Sequence, residues 1–152
     1  MKIPAAEVER MTAHLRAGYP NEACGAFLGR GSEVMRVAPL VNRETETPRV
    51  RYQIEPRDLI HLDRDARASG LDIIGYFHSH PDDLARPSET DRRRAAESLS
   101  DGVFHVVAAV EGGQQVIPTA WVFREATQAF EPEPFEIVEH GSFMRPPDRP
   151  SE

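Results

Sequence analysis

Leu71-Asp72-Ile73-Ile74-Gly75-Tyr76-Phe77 is the stretch that most restricts the fold, because it is apolar at nearly every position rather than at every second one. A strand wetted on one face alternates; a run apolar on both faces must be covered on both, as a central strand between two layers is. Pro81 closes the run, since proline has no N–H to give to a ladder. Residues 103–110 repeat the pattern. Two such strands need helices over them, and the sequence supplies three. Residues 4–17 carry Val8, Met11 and Leu15 at helical spacing with Gly18 as the stop. Residues 56–69 turn Leu59, Ile60, Leu62 and Ala66 inward and end at Gly70, and residues 88–99 form the third helix. Further strands are expected at residues 23–29, 33–37, 50–54, 116–124 and 135–138, with residues 40–48 as loop and Gly112-Gly113 as a hairpin turn. Strands alternating with helices make an α/β domain, a mixed β-sheet flanked by helices.

The chain has 152 residues, which fits one domain. Residues 1–144 are assigned to it, and the proline-rich, polar residues 145–152 to a disordered tail. Eighteen Lys and Arg against 25 Asp and Glu give a formal charge of −7, which offers phosphate backbones little counterion release. Nucleic acid is therefore not an expected partner, and Arg92-Arg93-Arg94 reads as a solvated helix face. No apolar run nears the roughly 18 residues that span a bilayer. The one cysteine, Cys24, excludes an internal disulfide and reads as a small buried hydrophobe. With an acidic, helical N-terminus in place of a signal peptide, this predicts a cytoplasmic protein.

Chemistry concentrates at His78-Ser79-His80-Pro81, where the central strand ends. Side chains two apart on a strand share a face, so both imidazoles project together. Ser88 and Asp91 follow at the start of the third helix, where Asp91 can face back toward the strand end. A His, His, Asp set with a fourth position open to water is the pattern of a catalytic zinc. The plain alternatives are a hydrogen-bonded histidine pair and an ordinary N-cap, Ser88 with an acid three residues on.

Gly75-Tyr76-Phe77-His78-Ser79-His80-Pro81 with Ser88-x-x-Asp91 resembles the signature of the JAMM, or MPN-plus, zinc metallopeptidases: His-x-His, ten residues, then Asp. Pro20-Asn21-Glu22-Ala23-Cys24-Gly25 is similar to the segment bearing that family's upstream glutamate, and Asn42, Tyr52 and Pro56 add weaker likeness. The resemblance spans about residues 8–123 and implies the JAMM/MPN, cytidine-deaminase-like, architecture. It implies that His78, His80 and Asp91 hold Zn²⁺, that Glu22 is the general base, and that Ser88 donates a hydrogen bond to the developing oxyanion. It also implies a substrate: the amide bond after the C-terminal Gly-Gly of ubiquitin or a ubiquitin-like protein. Short stretches at residues 40–48 and 111–115 leave no room for the insertions of polyubiquitin-specific members. The chain is thus similar to prokaryotic stand-alone members, including those that free cysteine from a sulfur-carrier protein. Other readings stay open: a JAMM-type peptidase on another substrate such as a cell-wall peptide, a non-catalytic MPN scaffold, or a cysteine nucleophile at Cys24. A nucleobase deaminase would need a Pro-Cys-x-x-Cys motif that a one-cysteine chain lacks.

Overall fold

β4 (Asp72–Pro81), the strand expected at the centre, lies there. The structure is a computed structural model that describes residues 1–98 and 101–139. In chain order its other elements are β1 (Lys2–Pro4), α1 (Ala5–Gly18), β2 (Cys24–Arg30), β3 (Glu33–Leu40), α2 (Pro56–Ala68), α3 (Glu89–Glu97), β5 (Phe104–Glu111), β6 (Gln115–Arg124), β7 (Ala129–Glu133) and β8 (Glu136–Val138). The described strands form one mixed sheet in the order β7-β6-β5-β4-β2-β3-β1-β8. β2 runs antiparallel to both β3 and β4, while β4 and β5 run parallel through a crossover that contains α3.

Each face of the sheet has its own cover, as the unbroken apolar runs require. Met11 and Leu15 of α1 pack with Phe27, Phe77, Val106 and Val110. Ala66 and Leu62 of α2 pack with Leu28, Leu71 and Ile73 on the other side. Successive residues Phe27 and Leu28 thus serve opposite layers, as strand alternation dictates. Gly25 pairs with Phe77, and a Cβ there would stand 2.2 Å from the Phe77 ring, so only glycine leaves space for that ring in the core. Gly70 ends α2 as expected: it adopts φ 71 while the Leu71 N–H reaches the Ala66 carbonyl at 2.9 Å.

Several expectations need correction. Residues 50–54 are not a strand. Their polar groups take scattered partners instead: the Asn42 amide accepts from the Gln53 N–H and donates to the Arg51 carbonyl, the Gln53 carbonyl accepts the Arg43 N–H, and the Val50 and Arg51 N–H groups reach the Thr47 carbonyl. Ile60 is 54% exposed rather than inward, as α2 presents Leu62 and Ala66 to the sheet. β1 and β7 went unread, being a three-residue strand and an edge strand interrupted by Pro132. Leu99, the boundary at 144 and the tail at 145–152 lie outside the described residues. Among the described residues, no helix is long and apolar enough to cross a membrane.

Candidate active site

His78 and His80 occupy the last turns of pleat on β4, on the same face, with Ser79 turned the other way. Ser79 is fully buried, and its hydroxyl accepts the Ala23 N–H at 2.9 Å while its own N–H reaches the Ala23 carbonyl at 3.0 Å. Those two bonds extend the β2–β4 ladder one step beyond the Cys24–His78 pair. Continued once more, the antiparallel register sets Glu22 opposite His80. Glu22 is 5% exposed, and one of its carboxylate oxygens lies with the two imidazole nitrogens in a group all within 4.8 Å of one another. The main chain of Glu22 is held on both sides: its N–H donates to the Pro48 carbonyl at 2.7 Å and its carbonyl accepts from Asn42 at 2.9 Å. With bonds from Glu44 and Gln53 as well, the Asn42 amide uses both donors and accepts two N–H groups.

Asp91 comes from the first turn of α3. Ser88 is the N-cap, its hydroxyl accepting the Asp91 N–H at 3.1 Å, and Asp91 Oδ2 accepts the Ser88 N–H at 2.8 Å, a capping box. The plain N-cap reading is therefore realised, and it aims the carboxylate at the strand end. Asp91 Oδ2 stands 3.1 Å from His78 Nε2 and 3.2 Å from His80 Nε2, and the two Nε2 atoms are 3.1 Å apart. Three donor atoms bound tetrahedrally at 2.0–2.1 Å would be separated by roughly 3.3 Å. The triangle fits a small divalent ion with its fourth position open.

The protonation chemistry points the same way. His80 Nδ1 lies 2.9 Å from the Leu84 carbonyl, which only accepts, so that nitrogen is assigned the proton. In the neutral ring Nε2 is then bare and faces an Asp91 oxygen, itself an acceptor. Two acceptors in contact need a cation between them, either a metal ion or the second proton of an imidazolium. Burial opposes charge on His80, yet Asp91 and the Leu84 carbonyl together hold its pKa above the ordinary value. Burial would likewise raise Asp91, but the histidines and the Ser88 N–H keep it well below the usual carboxylate range. Glu22 shows the opposite balance: burial pushes it up to about 8, with Asp91 adding to the rise and His80 opposing it.

Tyr52 stacks on His78 with ring centroids 4.6 Å apart, and Arg94 lies over the Tyr52 ring while donating to its carbonyl. Arg94 is thus no part of a solvated basic face: one helical turn beyond Asp91, it braces the wall behind His78. Arg92 and Arg93 do face solvent, paired with Glu89. Sequence reasoning missed Arg94 and Ser79, though the three-residue spacing from Asp91 and the strand alternation were both available as signals. Cys24 behaves as expected, fully buried with burial pushing its thiol up to about 12, which removes it as a nucleophile. A cleft of about 680 Å³ runs from His78 and Asp91 past Tyr76 to His105 and Phe130.

The strand-end histidine pair, the capped aspartate and the buried glutamate lie together on a sheet of the JAB, or JAMM, type. The chain belongs to the family described as prokaryotic homologs of the JAB domain, which matches residues 4–127. It is 27% identical over 139 residues to a desampylase of Haloferax volcanii, covering 86% of this chain and 96% of that one. It is 33% identical over 97 residues to a CysO-cysteine peptidase of Mycobacterium bovis, covering 62% of this chain and 65% of that one. The solution structure of protein DSY2949 from Desulfitobacterium hafniense superposes with a TM-score of 0.80 at 29% identity, covering 93% and 94% of the two chains.

Proposed function

We propose that the chain is a zinc-dependent peptidase or isopeptidase that hydrolyses the amide bond after the C-terminal Gly-Gly of a ubiquitin-like sulfur-carrier protein, and that it releases cysteine from a carrier–cysteine adduct. The observation that carries the chemistry is the 3.1–3.2 Å triangle of His78, His80 and Asp91 with the Glu22 carboxyl beside it. His78, His80 and Asp91 would hold the metal. Zinc bound there would polarise the substrate carbonyl and lower the pKa of a coordinated water from 15.7 to about 7.

The remaining work falls to side chains. Glu22 accepts a proton from the attacking water and passes it to the departing amine, which needs one carboxylate able to be base and then acid. Burial raises its proton affinity, which strengthens it as the base that takes the water's proton. Ser88 uses its hydroxyl oxygen to cap α3, leaving the hydroxyl proton free to meet the negative charge developing on the carbonyl oxygen. A Gly-Gly terminus suits the site because a tail without side chains can lie flat against strand-end backbone. The carrier assignment is supported by similarity to a protein named as a CysO-cysteine peptidase.

Ser88→Ala should lower kcat by about 10²–10³-fold if its hydroxyl is an oxyanion donor. Loss of the cap alone costs about 1 kcal/mol of stability. Ser88→Gly separates the two, since glycine caps nearly as well; the same kcat loss in both variants, measured beside their unfolding midpoints, supports the donor role. Equal kcat in Ser88→Gly and wild type would leave Ser88 as a cap. For the substrate, the purified protein is incubated with a carrier–cysteine adduct and the carrier is weighed by intact-mass spectrometry. Loss of the cysteine mass is expected. Retention of that mass, with cleavage instead of a lysine-linked ubiquitin-like conjugate or a cell-wall peptide, would replace the substrate and keep the chemistry.

A further inference from the structure

Tyr19, Asp82 and Gly112 meet at one point although they follow three different elements: the end of α1, the end of β4 and the β5–β6 turn. The Tyr19 hydroxyl donates to Asp82 Oδ2 at 2.5 Å, and the Gly112 N–H donates to Asp82 Oδ1 at 2.8 Å. The Asp82 N–H is taken by the Val110 carbonyl at 2.9 Å. Asp82 holds this place at φ 52, a left-handed backbone that aspartate tolerates better than most residues. The Tyr19 ring lies over Gly113, where a Cβ would come within 2.9 Å of it. Both glycines of the turn are therefore committed, one through its N–H and the other through its missing side chain.

We propose that this junction positions the active site, with Tyr19 and Asp82 acting on Glu22 and His80 without touching substrate; the inference rests on the peptidase reading above. The connectivity carries it. Tyr19 lies three residues before Glu22, and Asp82 lies two residues after His80. The β2–β4 ladder ends at Ala23 and Ser79; beyond it His80, Pro81 and the Asp82 N–H stay paired with β5, so the edge left open lies between residues 80–82 and residues 20–22. The Tyr19–Asp82 bond closes that open end.

Asp82 also sets where residues 83–87 leave the sheet. Within them Leu84 presents the carbonyl that takes the His80 Nδ1 proton, and the Asp83 side chain holds the Leu84 N–H at 2.7 Å. Thr119 donates to the Ala85 carbonyl farther along. Without the Asp82 side-chain bonds the segment is held by the Asp82 N–H on Val110 and by these later tethers, and the Leu84 carbonyl gains play against His80. The junction is solvent-exposed, so it contributes little to global stability. Its effect is geometric, and displacements near 1 Å at a reacting centre are costly.

Tyr19→Phe removes one hydroxyl and leaves the ring on Gly113. Asp82→Gly removes both acceptors yet permits the left-handed backbone. Asp82→Asn can accept from Gly112 and donate to the Tyr19 hydroxyl, so it is the rescue. In metal-free protein, above the pH at which the imidazoles titrate, ring-nitrogen NMR of the wild type should show His80 protonated at Nδ1. Tyr19→Phe and Asp82→Gly should shift it toward a mixture of tautomers, and Asp82→Asn should restore it. Chelator competition should show zinc held roughly tenfold more weakly in the first two variants, the lower end for loss of a partner behind a ligand. Their kcat should fall with KM unchanged and the unfolding midpoint near that of the wild type. A wild-type tautomer and zinc affinity in both variants would overturn the proposal. A wild type that takes up no zinc would overturn the metallopeptidase reading instead, and the tautomer comparison would then decide the junction alone.

Discussion

Replacing Glu22 by glutamine is expected to leave the metal in place and lower kcat by about 10²–10⁴-fold, the range that a positioned general base supplies. The substitution keeps the volume of a side chain that is 5% exposed, so packing around it need not change. It also keeps the His78, His80 and Asp91 triangle, because Glu22 is not among the three atoms that make it. Steady-state kinetics beside metal analysis separate the two effects. A Glu22→Gln enzyme with ordinary turnover would remove Glu22 from proton transfer, and one that had lost its metal would make Glu22 a ligand. The metal-free protein gives a second readout. In the metal-free protein burial pushes Glu22 up to about 8, well above the roughly 4.3 of a carboxyl in an unfolded chain. Between those values the folded state carries a proton that the unfolded state has lost. Stability therefore falls as pH rises through this window, by at most about 1.4 kcal/mol per pH unit for one group. Glu22→Gln should flatten that slope in denaturant titrations, and zinc should reduce it in the wild type by opposing the proton.

The same residue marks where sequence reading stops. His78 and His80 were legible because a strand repeats every two residues, so two letters and a boundary proline were enough to place both rings. Asp91 was legible because a serine three residues before an acid opens a helix, and helix geometry does the rest. Glu22 had no such local signature. Its place opposite His80 follows from the pairing of Cys24 with His78, a contact across 54 positions that depends on the whole β2–β4 register. Only the family resemblance singled it out. Residues 50–54 were misread for a related reason: their alternation is genuine, but their backbone groups go to the Asn42 side chain, the Arg43 N–H, the Thr47 carbonyl and Arg94 rather than to a neighbouring strand. Arg94 was misread because three consecutive arginines look like one solvated patch, while the helix turns each by about 100° and carries the third against Tyr52.

Removing the metal, or the carboxylate that completes its site, should have the other large effect. Asp91 Oδ2 is in contact with both ring nitrogens and with the Ser88 N–H, so one oxygen joins the cap of α3 to the end of β4. Asp91→Asn can keep the cap, since the amide oxygen still accepts from Ser88. It loses the charge that makes the triangle attractive to a cation and turns either an N–H donor or a neutral oxygen toward the rings. Zinc affinity should drop by more than the about 10–100-fold that losing a partner behind a ligand costs, because here a ligand itself changes. The wild type should bind about one zinc per chain, lose turnover on chelation and regain it when zinc returns. It should also gain about 2.7 kcal/mol of stability at a free zinc concentration 100 times the Kd, visible as a rise in Tm. At that same concentration Asp91→Asn should show little rise, while its metal-free Tm stays near that of the metal-free wild type because α3 remains capped. A large loss in the metal-free Tm would report the lost pairing of the Asp91 charge with His78 and His80, since the cap is kept. Full activity in chelated wild type would end the case for metal chemistry at His78, His80 and Asp91.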